Sequence, residues 1–151
     1  IKNLKNVNLV VKLHPVQDTN NEYIKKLIQK LDPNILILVS GSIRKIILSC
    51  NLMINIHVEL MPSTVLLEGL ILKKAIMNVV MTDEILKFQY VKDNAVLSVS
   101  DKSDLTTPIN DLLYNEEISQ KLIQNGQLHV KNFLANPGNA SKSLAEVINS
   151  I

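Results

Sequence analysis

The sequence predicts an α/β fold: a doubly wound, Rossmann-like parallel sheet of about five strands, in the order 2-1-3-4-5, with C-terminal helices packed on it. Three observations predict it. Short runs of Ile, Val and Leu alternate along the chain with segments of helical period. Hydrophobic residues make up 46% of the sequence and aromatics only 3%, with no Trp, so the core is aliphatic, as a buried parallel sheet requires. The 151 residues carry no internal repeat, low-complexity segment or linker, and suit a single α/β domain with a real core.

The elements follow in order. Val7-Asn-Leu-Val-Val-Lys-Leu13 is a short β-rich run that ends at His14-Pro15, where Pro stops the ladder. Thr19 to Leu31 has helical spacing through Tyr23, Ile24, Leu27, Ile28 and Leu31, with Asn20 or Asn21 available as a cap. After the Asp32-Pro33-Asn34 turn, Ile35 to Ser40 reads as a second, buried strand. Ser42 can cap a short helix through Ile43, Ile46, Ile47 and Cys50. Leu52 to His57 is the third strand, Ser63 to Lys74 a helix apolar on most sides, and Ala75 to Met81 the fourth strand. Thr82 to Asn94 reads as a turn or short helix around Asp83–Phe88, and Ala95 to Ser100 as the fifth strand. Thr107-Pro108 marks a helix start with Pro at the first helical position. Glu116 to Leu134 is a longer helix, broken by Asn136-Pro-Gly-Asn139, and a last helix from Ala140 places Leu144, Val147, Ile148 and Ile151 on one face.

Composition excludes several function classes. The net charge of +2 and scattered lysines without aromatic partners give no nucleic-acid stripe. Cys50 is the only cysteine, which excludes an internal disulfide and a cysteine-rich zinc site; its apolar setting reads as an inert core thiol. The start, Ile1-Lys-Asn-Leu-Lys-Asn6, is polar and mixed, unlike a signal peptide, and no apolar run is long enough to cross a bilayer, so a cytoplasmic protein is expected. The first residue is not Met, which reads as an excised domain or a processed product. There is no GxGxxG, Walker loop, HExxH or GxSxG motif, no acidic metal pair and no nucleophile triad.

In an open parallel sheet, ligands sit beyond the carboxyl ends of the strands. Ser63 and Thr64 open a helix there, so free backbone N–H groups and the positive end of the helix dipole join two hydroxyls in a neutral phosphate cradle. Glu68, about one turn further in, suits a ribose hydroxyl. The same residues also fit plain capping, with Ser63 as N-cap and Glu68 closing reciprocally or facing water. His14 ends the first strand and His57 the third; either can donate to a phosphate or bond to local backbone. Ser40-Gly41-Ser42 is a weaker nest, equally explained as turn chemistry, and His129 reads as structural or exposed.

The order of motifs Lys12-Leu-His-Pro15, Leu52-Met-Ile-Asn-Ile56 and Pro62-Ser-Thr-Val-Leu-Leu-Glu-Gly-Leu-Ile-Leu-Lys-Lys-Ala-Ile76, closed by Asn136-Pro-Gly-Asn-Ala-Ser-Lys-Ser-Leu-Ala-Glu-Val-Ile148, resembles the C-terminal, nucleotide-donor-binding half of GT-B-fold glycosyltransferases. It is nearest to the CDP-glycerol glycerophosphotransferase, polysaccharide-biosynthesis and UDP-N-acetylglucosamine 2-epimerase groups. The resemblance covers most of the chain, and its strength lies in the order and spacing of short motifs. It implies donor-diphosphate contacts from Ser63 and Thr64, a ribose contact from Glu68 and a phosphate-side contact from His14; His57 and Ser42, just past the strand ends, are further candidates by position alone. The catalytic base is not assigned. The implied partners are a nucleotide-sugar or CDP-polyol donor, bound as substrate with no cofactor and no metal, and an N-terminal domain that this chain lacks. The implied protein is a cytoplasmic transferase of surface polysaccharide or glycoconjugate synthesis, active only at full length; peripheral association with the inner face of a membrane, and a homodimer, stay open.

The chain departs from that family in three ways. Lys73-Lys74-Ala75 stands in place of Gly-Lys-Pro, the Val58–Pro62 loop is apolar, and a strand with a Gly-rich turn before the first strand is absent. That strand would lie centrally in the sheet, between the first and third strands here. Without it the five strands either close up in the order 2-1-3-4-5 or leave a slot whose exposed ladder groups would invite a strand from another chain; closure is the expectation, which finding the first and third strands unpaired contradicts. Two other readings compete: a non-enzymatic, flavodoxin-like interaction domain, and a sugar-nucleotide epimerase-like domain. Receiver chemistry would need clustered acids after the first strand, which are missing.

Overall fold

The computed structural model describes residues 4, 6–14, 18–57, 63–81, 88–100, 103–134 and 138–150, with backbone only at 18–20 and 57. The chain divides into two compact units, Ile1–Lys45 and Ile46–Ile151.

The first unit is a βαβ hairpin in the parallel sense. β1 (Val10–Lys12) and β2 (Leu36–Leu38) pair in register Val10↔Leu36 to Lys12↔Leu38, with α1 (Asp18–Leu31) as the crossover. Lys12 Nζ donates to the carbonyls of Leu13 (2.6 Å) and Val39 (2.9 Å), tying the two strand ends together. Asn21 does not cap α1. It lies inside the first turn, buried, and its Nδ2 donates to the carbonyl of His14 at 3.1 Å. Asn20 and Pro15 as structural signals lie outside the described side chains and residues. Gly41 takes φ +107°, a region that favours glycine, before α2 (Ile43–Ser49), within which the boundary between the units falls.

The second unit carries β3 (Leu52–His57), α3 (Thr64–Ile71), β4 (Ala75–Val80), α4 (Gln89–Lys92), β5 (Leu97–Ser100), α5 (Thr106–Tyr114), α6 (Glu116–Phe133) and α7 (Ala140–Asn149). Its three parallel strands run in the order β3-β4-β5. All six residues of β4 are buried. Successive strand residues point to opposite faces, so the sheet is covered on both sides at its centre, as a doubly wound fold requires. One face holds a cluster of Leu66, Leu70, Ile76, Tyr90, Ala95 and Val96, joined by Met53 and Val130. Gly69 lets α3 approach closely: a Cβ there would stand 2.7 Å from Met53 Sδ and 2.8 Å from Ile76 Cδ1.

α6 is anchored by consecutive contacts. Asn125 Nδ2 donates to the Asn94 carbonyl (3.2 Å), Gln127 Nε2 to the Leu70 carbonyl (2.6 Å), and His129 Nδ1 bonds to Asp93 Oδ2 (2.7 Å). Asn115 caps its start by accepting from Ile118 N–H (3.2 Å).

The α/β class and parallel sense match the sequence; several details are corrected. The strands form two sheets, β1-β2 and β3-β4-β5, and not one sheet in the order 2-1-3-4-5. A central strand needs two ladder partners and cover on both faces, whereas β1 is three residues long, has β2 alone as partner among the described residues and exposes Val10. β2 is equally short and leaves Leu36 55% exposed, so it is not a buried strand. α5 starts at Thr106, with Pro108 third in the helix, because Asp104 accepts from the N–H groups of Thr106 (2.9 Å) and Thr107 (3.3 Å) and from Thr107 Oγ1 (2.8 Å). Cys50 is half-buried just past α2, its Sγ set 3.1 Å from the Ile47 carbonyl; burial raises its pKa, opposed by nearby Lys74. α7 forms where expected but contributes no buried residue. The readings of Val58–Pro62, of Thr82 to Lys87 and of the Asn136-Pro137 break fall outside the described residues.

Candidate functional site

The site residues of the second unit are set by one helix. β3 and β4 are parallel neighbours, so α3 between them must run back against their direction. Its first turn therefore lies at the carboxyl ends of the strands, where open α/β sheets bind ligands.

Ser63 is the N-cap, with extended backbone (φ −74°, ψ 119°) and no side-chain capping bond. The first helical bond runs from Leu67 N–H to the Ser63 carbonyl at 3.4 Å. The N–H groups before Leu67 thus have no acceptor within the helix. At 100° per residue, Thr64 and Glu68 share the side of α3 opposite to buried Leu66, Gly69 and Leu70. Thr64 is exposed and Glu68 half-buried. The reciprocal capping reading does not hold. Ser63 makes no such bond, and Glu68 is the fifth residue after the cap where a capping box uses the third.

The far end of α3 is closed. Lys73 N–H donates to the Leu70 carbonyl (3.1 Å) and Lys74 N–H to the Gly69 carbonyl (3.1 Å), a Schellman motif with Lys73 at φ +57°. Lys73 thus takes a left-handed backbone of the kind that favours glycine. Lys74 Nζ donates to the carbonyls of Leu48 (2.9 Å) and Cys50 (2.7 Å), at the end of α2. The Lys-Lys pair therefore has two distinct structural jobs.

His14 and Ser42 belong to the first unit and are exposed. Ser42 precedes a helix of only seven residues. The side chain of His57 lies outside the described residues, and so does the Val58–Pro62 loop.

Sequence reasoning missed two polar features. One is the His129–Asp93 pair, completed by Gln89 Nε2 donating to Asp93 Oδ1 at 2.6 Å. The bonds from His129 first, then Gln89, hold the Asp93 carboxyl below its ordinary pKa. The His129 ring stacks on Phe133 and meets Tyr90 edge-on; burial pushes the Tyr90 hydroxyl up to about 12. The pair clamps α6 to the end of α4. The other feature is Asn55 and Asn78, each fourth in an apolar strand, a matched position visible in Leu52-Met-Ile-Asn and Ala75-Ile-Met-Asn.

An open, mostly apolar depression of about 410 Å³ lies between β5, α5 and α6, lined by Leu97, Leu112, Ile118 and Leu122 among others; Ser63, Thr64 and Glu68 do not line it. Among the described residues, no group of three His, Cys, Asp or Glu side chains could hold a metal ion, and no helix is long and apolar enough to cross a membrane. No family model, curated protein or solved structure matches the chain.

Proposed function

We propose that this chain is the nucleotide-donor half of a glycosyltransferase-like enzyme of surface polysaccharide or glycoconjugate synthesis, acting in the cytoplasm on a nucleotide sugar or CDP-linked polyol. One observation carries the reading. A helix start whose N-cap, Ser63, makes no side-chain capping bond stands at the carboxyl ends of two parallel strands, with Thr64 next and Glu68 one turn in on the same outer side as Thr64. The amides and hydroxyls suit the donor diphosphate, and the carboxylate suits ribose hydroxyls. The order of motifs in the sequence supports the same assignment.

In this reading, an acceptor hydroxyl oxygen attacks the anomeric carbon of a sugar donor, or the phosphorus of a CDP-polyol. The bond to the leaving phosphate oxygen breaks, that oxygen keeps the electron pair, and the acceptor proton passes to a base on the other half of the enzyme. The residues here would bind and orient the donor and neutralise the leaving group, with no covalent nucleophile.

Titration of the chain with UDP, CDP and GDP up to millimolar concentration tests this. At least one nucleotide should raise the melting temperature, and Glu68→Ala should abolish the rise without loss of fold. No response to any of the three contradicts the reading and favours an interaction domain.

A further inference from the structure

The register of the second sheet places three polar side chains in one row. Asn55 pairs with Asn78, and Asn78 with Ser98. In-register neighbours on parallel strands point to the same side. That side faces α3, because Met53 and Ile76, two residues earlier on their strands, are the residues that meet Gly69. The row therefore lies one step nearer the carboxyl ends, under the starting half of α3.

Asn78 is fully buried in the middle of the central strand. Asn55 Nδ2 donates to Asn78 Oδ1 at 2.8 Å. Asn78 Nδ2 and Ser98 Oγ are both buried and have no protein partner. Turning both amides over exchanges the roles of N and O and still leaves one polar atom of Asn78 unsatisfied. An orphaned amide and an orphaned hydroxyl at adjacent positions each oppose folding. Neighbouring strands stand about 4.8 Å apart, which suits two groups that share a bridging water instead of bonding directly.

We propose that Asn78 and Ser98 hold one ordered water molecule in the core of the sheet. The amide donates to the water oxygen, and the water donates to Ser98 Oγ, so both orphans are satisfied by one molecule. The site depends on register and burial alone and is independent of any nucleotide.

The sign of one substitution decides it. With the water in place, Ser98→Ala strips it of a partner, and the ratio of folded to unfolded protein in urea should fall by about tenfold. If the hydroxyl is merely orphaned, Ser98→Ala relieves a burial penalty, and an unchanged or higher ratio overturns the proposal. A second readout uses the intact chain. Nuclear Overhauser transfer from long-lived water to the Asn78 side-chain amide protons supports the site, and its absence contradicts it.

Discussion

The two ends of α3 are built by opposite rules. Its last turn is closed by a Schellman motif through Lys73 and Lys74, pressed onto the sheet at Gly69 and Leu70, and crossed by α6, whose Gln127 bonds to the Leu70 carbonyl. At its start the N-cap Ser63 makes no side-chain capping bond, and Thr64 and, one turn in, Glu68 share the outer side. Backbone groups at a helix end must find partners. At the closed end the protein supplies them, and that end is structural. At the open end the N-cap Ser63 makes no side-chain capping bond, and such an end is able to serve a ligand.

The largest effect should come from breaking the closed end. Leu70 is buried in the cluster and touches the space kept open by Gly126, so Leu70→Ala should cost about 2–5 kcal/mol in urea unfolding. A cost below about 1 kcal/mol would mean that the site collapses easily and the closed end is not the anchor described.

A smaller effect of opposite sign should follow at Lys73. Its left-handed backbone suits glycine, so Lys73→Gly should stabilise by about 0.5–1 kcal/mol, read as a higher melting temperature. A loss of stability would show that the Lys side chain holds a contact worth more than the strain.

Acid should separate α3 from a helix that is capped. Asp104 takes its bonds at the start of α5, and the Thr106 N–H first, then Thr107, draw its carboxyl down from 3.8 to about 2. A depressed carboxylate stabilises the fold fully above its ordinary pKa and loses that contribution as pH falls through the folded value. Amide exchange at Thr106 and Thr107 should therefore quicken, relative to the intrinsic rate, between about pH 4 and pH 2, while Thr64 and Val65 show no step in that window. Equal steps at both helices would remove the distinction between a capped and an open start.

How much of this the sequence discloses depends on the range of the interaction. The apolar runs Ala75 to Val80 and Leu52 to His57 became the paired core strands, because burial on both faces leaves a local signature. Ser63, Thr64 and Glu68 were legible as a group because one helix carries them. The separation of β1-β2 from β3-β4-β5 was not, since ladder partners are non-local. The Asn55–Asn78–Ser98 row needs the register, and the bonds from Lys74 to Leu48 and Cys50 reach across 26 and 24 residues. The start of α5 was misplaced because Thr107-Pro108 is a strong local signal and the Asp104 side chain outweighed it.

The most direct test of the central claim is an amide spectrum of the intact chain titrated in turn with UDP, CDP and GDP. The open-end account predicts shifts at Thr64 and Val65 with at least one nucleotide, lost in Glu68→Ala, while Lys73 and Lys74 at the closed end stay still. Shifts confined to the closed end, or none along α3 with any of the three, would contradict it.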